Sequence, residues 1–524
     1  MSYKKWFLSA LLLAGMSMSI HAADQDSTVM TIAGKRIPLS EFLYIAQKNG
    51  EVNIQDKKSV KEYVELFKIF KLKVAQAESE GVDTTAAFRN ELNVYHDQLL
   101  SGFLSDKDGE DAVVRSEYER GKDLVDLSYI LYKLPQQTFA KDTASAYENA
   151  MRVYDRLQKG EKLETVGKEL MASDKEHVVF ENVRALQPLQ VVKSFEDVAF
   201  TLPVGAISKP FRSPLGYHIM RVSGRSANEG TIQVAHILVL FKDSTEKAKA
   251  AALTKAQQVL DKIKAGGDFG ELAKEYSDDS NSSKNGGLIN PFNHGEMILP
   301  FEMAAFSLKQ PGDVSGLVES KVGYHIIKLV ARNPRPSFED SEEALSEKMR
   351  QGDWGFEMNR SFDEAKKSEY GYKAYPDAFE ELVAAADSCF PGSGTYESKV
   401  TNMNKPLFEI GGKTYSQKDF TSYVFRFPFS SKTYAGDFLK DVYSLYLHES
   451  CVSLEQANMK KNHPEFDLLM QEYRDGILLF DVSNREVWSK PAAEQKQAEE
   501  AWVKRLTEKY PVVVNWKLLD KLGN

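Results

Sequence analysis

The sequence predicts an α+β protein of several domains: two related α+β units, each a small antiparallel sheet with helices, flanked by mainly helical N- and C-terminal regions. Three observations predict it. Residues 231–332 read as strand, helix, helix, helix, strand; residues 125–222 repeat the same landmarks; and outside both, apolar residues recur mainly at helical intervals. A chain of 524 residues has room for roughly three to four domains. With 42% hydrophobic and 11% aromatic residues it can fill their cores.

The elements follow in chain order. Lys4 and Lys5 precede an apolar run from Trp6 to Ile20, which ends in His21-Ala22-Ala23 before Asp24-Gln25-Asp26. A charged start, a short apolar core and small residues at the exit predict a cleaved secretory signal over 1–23. The run, about 15 residues, falls short of the roughly 20 that span a bilayer, so no stable membrane anchor is expected. No cysteine follows it for lipid attachment. The expected compartment is an exported one, a bacterial periplasm. A mainly helical domain is expected over 24–122. It starts with a strand and turn at Val29-Met30-Thr31-Ile32-Ala33-Gly34-Lys35-Arg36-Ile37, followed by helix from Ser40. Leu66, Phe67, Phe70, Val74 and Ala77 then recur at helical spacing, and Phe88, Leu92, Tyr95 and Leu99 continue it beyond Gly81.

The best-defined unit is expected over 229–333. Residues 231–240 are rich in β-branched and apolar side chains and read as a strand. Asp243-Ser244-Thr245-Glu246 reads as a helix cap with an acid three residues on. Ala256, Val259, Leu260 and Ile263 form the helix's apolar face, and Gly266-Gly267 ends it. Asp268-Phe269-Gly270-Glu271 opens a second helix, Pro300 opens a third with Phe301, Ala304, Ala305 and Leu308 on one face, and 324–330 form the closing strand.

Within this unit lie Ala235-His236-Ile237-Leu238-Val239, Gly286-Gly287, Gly295-Glu296-Met297, Pro300-Phe301-Glu302 and Gly323-Tyr324-His325-Ile326-Ile327-Lys328. In order and spacing these motifs resemble those of parvulin (PpiC-type) peptidyl-prolyl cis-trans isomerases. The resemblance implies that His236 and His325 lie side by side on the sheet, with Asp279 as the family's acidic position. It also implies a proline-binding wall of Met297 and Phe301, with Ile289 where the family usually has leucine. The family's Gly-Gly-Asp-Leu-Gly-Trp reads here Gly286-Gly287-Leu288-Ile289-Asn290-Pro291, a departure in the loop that carries Ile289. Phosphate selectivity is not expected, because the stretch after the first strand, Leu240-Phe241-Lys242-Asp243-Ser244, offers one lysine beside an acid.

These residue types suit the chemistry. Rotation about an Xaa-Pro amide breaks no bond, and its barrier of about 18–20 kcal/mol comes from conjugation. A catalyst needs an apolar slot for the proline ring and polar groups that favour the twisted amide. Met297, Phe301 and Ile289 suit the slot; His236, His325 and Asp279 suit the polar floor. Two strand histidines that merely satisfy each other in a core are the plain alternative.

The first copy, expected over 123–226, is a degenerate version. Leu127-Ser128-Tyr129-Ile130-Leu131 parallels the first strand, Ser194-Phe195-Glu196 the third helix, and Leu215-Gly216-Tyr217-His218 the closing strand. Tyr129 replaces the first histidine and Val191 the methionine, and residues 174–185 hold no glycine. With one histidine and the slot both lost, weak or no catalysis is expected, with peptide binding or spacing as remaining roles.

A mainly helical region is expected over 334–524, after a linker at Asn333-Pro334-Arg335-Pro336-Ser337. Ile410, Gly412, Lys413 and Phe420 keep the spacing of Ile32, Gly34, Lys35 and Phe42, so the two flanks read as related modules. Residues 466–488 carry a dense apolar face, a core or a partner groove. The whole arrangement resembles periplasmic chaperone/isomerases of the SurA type. That resemblance implies a folding factor whose clients are unfolded or nascent exported polypeptides, outer-membrane β-barrel proteins among them. Two functions follow: a prolyl isomerase acting from the second copy, or a holdase in which isomerisation is minor. A net charge of −9 without a basic footprint argues against nucleic acid. No cofactor or metal is expected, since no phosphate-cradling loop or histidine–acid cluster is present. Cys389 and Cys451 leave a disulfide open.

Overall fold

The computed structural model describes residues 27–48, 52–54, 56–135, 138–429 and 434–522; the expected signal segment lies outside the described residues. The chain divides into two compact units. One joins the residues up to Ser105 with those from Ser453 onward, and the other is Asp106–Val452. The expected C-terminal region 334–524 therefore contributes to both.

In the first unit, strands Thr28–Ile32 and Lys35–Pro38 form a hairpin whose turn places Ala33 and Gly34 at positive φ. Strand Val512–Val514 pairs antiparallel with Thr28–Ile32, so the two ends of the chain share one sheet. Helix Lys57–Ser79 is capped by Asp56, whose carboxylate accepts from the Lys58 and Ser59 amides at 3.2 and 3.1 Å. It buries Phe67, Leu72 and Ala77 in a core shared with Leu478, Val482 and Trp502. Leu66, expected on that face, is 52% exposed, because the buried stripe runs through Phe67 instead. Inside the unit Lys71 pairs with both Glu41 and Asp475. Burial pulls the lysine's pKa down, but the two carboxylates outweigh it and the ammonium stays charged.

The second unit holds both α+β copies. In the first, the strand order is Val178–Leu186, Asp123–Lys133, Gly216–Ala227, Phe211–Ser213, all antiparallel. Strand side chains alternate between the two faces. Ile130 and Ile219 pack beneath helices Ala140–Gln158 and Leu163–Ser173, while Leu127 and Met220 pack against helix Lys193–Thr201.

The second copy has the same plan. Strand Thr231–Leu240 pairs with Gly323–Asn333, with Leu238 opposite His325, and a short strand Val318–Glu319 completes the sheet. Helices Glu246–Lys264 and Phe269–Tyr276 cover the Ile237 and Ile326 face; helix Leu299–Ser307 covers the Ile232 and Ile327 face. The cap of the first of these helices is Thr245, accepting from the Ala248 amide at 3.2 Å. Asp243, the expected cap, instead closes the preceding turn by accepting from the Thr245 amide at 2.8 Å. Where the first copy has strand Val178–Leu186, the glycine-bearing loop of the second forms isolated β-bridges to its sheet, at Ala235 opposite Leu288 and Ile232 opposite Phe292.

Beyond Asn333 only residues 334–337 serve as linker, since Ser337 caps helix Phe338–Gln351. Farther on, hairpin Pro406–Ile410/Lys413–Ser416 leads into helix Gln417–Val424. Its Ile410–Lys413 pairing matches Ile32–Lys35 of the first unit, and both hairpins carry an irregularity at the same place, between Pro406 and Phe408 and between Thr28 and Met30. The shared spacing read from sequence thus corresponds to a shared hairpin. Cys389 and Cys451 are buried free thiols.

Candidate functional site

All six residues singled out in the second copy converge on one side of its sheet. His236 points from the first strand and His325 from the closing one. Their rings are near-parallel, with centroids 5.9 Å apart and 16° between planes. Phe301, delivered by the helix that Pro300 opens, sets its ring edge-on to both, at 5.4 Å from His236 and 5.3 Å from His325. Half-buried Ile289 and Met297 pack on the same cluster, which continues into Phe292 and Phe306. Ile298, Leu299 and Met303 stand exposed beside it in sequence and extend the apolar surface outward.

Hydrogen bonds fix the polar floor. His236 Nε2 lies 2.8 Å from Asp279 Oδ2, which also accepts from the Ser282 hydroxyl. The Asn281 amide donates to the other oxygen, Oδ1, at 3.2 Å. Burial works against the Asp279 carboxylate, but the Ser282 and His236 hydrogen bonds outweigh it and hold its pKa below the ordinary value. An ionised Asp279 accepts, so His236 Nε2 donates. On the other strand, His325 Nε2 lies 2.9 Å from the Ser320 hydroxyl, which itself reaches the Gly323 carbonyl at 3.0 Å. Burial pushes the His325 pKa down to about 4, with His236 nearby adding to the effect, so this ring is neutral at pH 7. Nδ1 of both rings is buried without a hydrogen-bond partner among the described residues. The site therefore presents aromatic edges, two buried imidazole nitrogens and a fixed carboxylate.

Sequence reasoning missed Ser282 and Ser320, and quoted Glu302 within a motif without giving it a role. Buried Glu302 accepts from the Gly295 amide at 2.8 Å and from the Met297 amide at 3.4 Å, fixing the loop that carries the slot wall. The internal repeat held the signal for two of them. Ser213 sits five positions before His218, as Ser320 does before His325, and Glu196 follows Phe195 as Glu302 follows Phe301.

The first copy builds the same frame with different contents. Tyr129 stands where His236 does, 5.6 Å from His218, and Phe195 is edge-on to both. The Tyr129 hydroxyl donates to Glu181 at 2.6 Å; burial first, then that carboxylate, push its pKa up, so it remains a neutral donor. His218 Nε2 lies 2.7 Å from the Ser213 hydroxyl, and burial pushes this imidazole down to about 4 as well. A cavity of about 700 Å³ opens here, lined by Tyr129, Phe195, His218 and Val191, with Lys348 and Trp354 from beyond the second copy.

Two faces of a small antiparallel sheet, one roofed by two helices and the other by a helix that brings an aromatic ring over a strand histidine, define the parvulin class of domain. The family described as rotamase, PPIC-type PPIASE domain, matches residues 129–224 and 236–331, so the chain carries two PPIC-type peptidyl-prolyl isomerase domains. Among curated relatives, the foldase protein PrsA 2 of Listeria innocua is 35% identical over 158 residues, 27% of this chain and 50% of that one. The foldase protein PrsA 1 of the same organism is 44% identical over 110 residues, 21% and 34% respectively. The chaperone SurA of Pseudomonas fluorescens is 28% identical over 221 residues, covering 41% of this chain and 51% of the relative. The chain thus spans about half the length, or less, of the curated relatives it matches.

Proposed function

We propose that the protein is a folding factor for exported polypeptides, and that prolyl cis-trans isomerisation takes place in its second parvulin domain, over 229–333. The observation that carries this reading is the convergence of His236, Asp279, His325, Met297, Phe301 and Ile289 on one side of the sheet, around one apolar cluster. Phe301, Met297 and Ile289 grip the proline ring. The His236–Asp279 pair and neutral His325 supply a polar floor that favours the twisted amide over either planar form. The exposed Ile298, Leu299 and Met303 suit clients with apolar residues near the proline. The test is isomerisation of an unphosphorylated Xaa-Pro tetrapeptide by the purified protein and by Met297→Ala. Loss in the variant supports the assignment, and an inactive wild type rejects it.

The second reading, a holdase, is favoured by a cavity of about 610 Å³ in the first unit. Phe70, Phe88, Tyr95, Tyr473, Ile477 and Phe480 line it. An aromatic-walled groove of that size accommodates side chains of an extended segment. We propose that both activities coexist, that unfolded chains occupy this groove, and that outer-membrane β-barrel precursors arriving in a periplasm after signal cleavage are the clients. Among the described residues no helix is long and apolar enough to cross a membrane. Changing Phe480 and Tyr473 to serine should weaken suppression of client aggregation while sparing tetrapeptide turnover; unaltered suppression would remove the holdase reading.

A further inference from the structure

We infer that the first parvulin domain is a positioning element for the slot of the second, acting through Arg184 on Glu302 and the loop that carries Met297. The inference rests on the second domain being the catalytic one. It starts from an unusual corner at the end of strand Val178–Leu186, where Ala185 adopts φ +49° and Asp126 accepts its amide at 2.8 Å. A left-handed non-glycine residue held by a side-chain bond is a fixed corner, not a mobile one.

Three separate contacts join this corner to the other domain. Arg184 Nη2 donates to Glu302 Oε1, and the Glu302 side chain is almost wholly buried. Asn293 Nδ2 donates to Gln187 Oε1 at 3.3 Å. Gly295, itself at φ +86°, lies so close that an added Cβ would meet the Arg184 carbonyl at 2.8 Å. Glu302 meanwhile spends its second oxygen on the amides of Gly295 and Met297. One carboxylate therefore ties the slot wall to an arginine from outside the domain, and His294 Nδ1 also faces Oε1, the oxygen Arg184 holds, at 3.5 Å.

The first domain shows the same device one step upstream, which argues that it is built rather than incidental. There Glu196 accepts from the amide of Leu189, a residue at φ +60°, and is held by Arg120 at 3.1 Å from helix Lys107–Arg120, again outside the domain. Each copy thus takes its arginine from the segment that precedes it.

The experiment uses the purified whole protein with 13C-methyl methionine, the Met297 signal being assigned from Met297→Leu. Arg184→Gln should lower tetrapeptide kcat/KM on the order of tenfold, mainly through KM, and shift the Met297 methyl signal. Arg184→Lys, which keeps the charge, should recover most of both, and Gln187→Ala should shift the signal less. An unmoved Met297 signal in Arg184→Gln overturns the inference, whether or not activity changes. A wild type without isomerase activity rejects the functional reading instead, and the methyl signal then decides the positioning role by itself.

Discussion

The two parvulin domains share a frame and differ in what fills it. Both place a neutral imidazole, His218 or His325, over a serine hydroxyl, set a phenylalanine edge-on to it, and follow that phenylalanine with a buried glutamate that fixes a loop amide. They part at one strand position and one loop. In the second domain His236 meets Asp279 in a loop; in the first, Tyr129 meets Glu181 on a strand that has replaced that loop. The difference teaches that the frame is kept while its contents change, and that the contents of the loop decide whether the floor holds an imidazole–carboxylate pair.

The largest test of this comparison is the matched pair Phe301→Ala and Phe195→Ala. Each truncates a buried ring and should cost about 3–5 kcal/mol of its domain's stability by denaturant titration. Phe301→Ala should abolish tetrapeptide isomerisation, whereas Phe195→Ala should leave the rate within about twofold; equal losses would break the division of labour. Met297→Ala against Val191→Ala is gentler. The first should reduce kcat/KM on the order of tenfold and the second leave it unchanged.

A third test concerns what the copies share. His218 and His325 have folded pKa values near 4 against an unfolded value of about 6.5. Between those values the unfolded chain binds protons that the folded protein does not, so stability falls as pH falls through that window. Each histidine should contribute up to about 1.4 kcal/mol per pH unit there. Unfolding midpoints measured from pH 7 to 4 should fall less steeply for His325→Gln and for His218→Gln alike, and a slope that neither changes would contradict the burial seen at both sites. The smallest effect is expected from Tyr129→His. Supplying the missing imidazole without the Asp279–Ser282 loop should leave the catalytic rate within about twofold of the wild type's, and a gain beyond tenfold would show that the loop is dispensable.

Much of this was legible beforehand. Strand Thr231–Leu240, the helix stop at Gly266 and the helix at Pro300 were readable because period, cap and breaker chemistry act over a few residues; the His236, Asp279 and His325 trio was readable only through the resemblance of the surrounding motifs to the parvulin family. The cap at Thr245 in place of Asp243 was not, since both residues can cap and the choice depends on where the turn before them closes. The first domain's cavity was hidden for a different reason: Lys348 and Trp354, which help line it, are remote in sequence.

The sequence by itself determined the α+β class of the two domains and their order, since both are written in local spacing and in cap and breaker chemistry; the proposed slot residues came from the family resemblance that the motifs carry. Only the tertiary structure decided that strand Val512–Val514 joins Thr28–Ile32, that the C-terminal region is shared between two units, and that Arg184 reaches Glu302. Those pairings join residues far apart along the chain. Their partners are chosen by packing and by the need to satisfy buried polar groups, which no local pattern records.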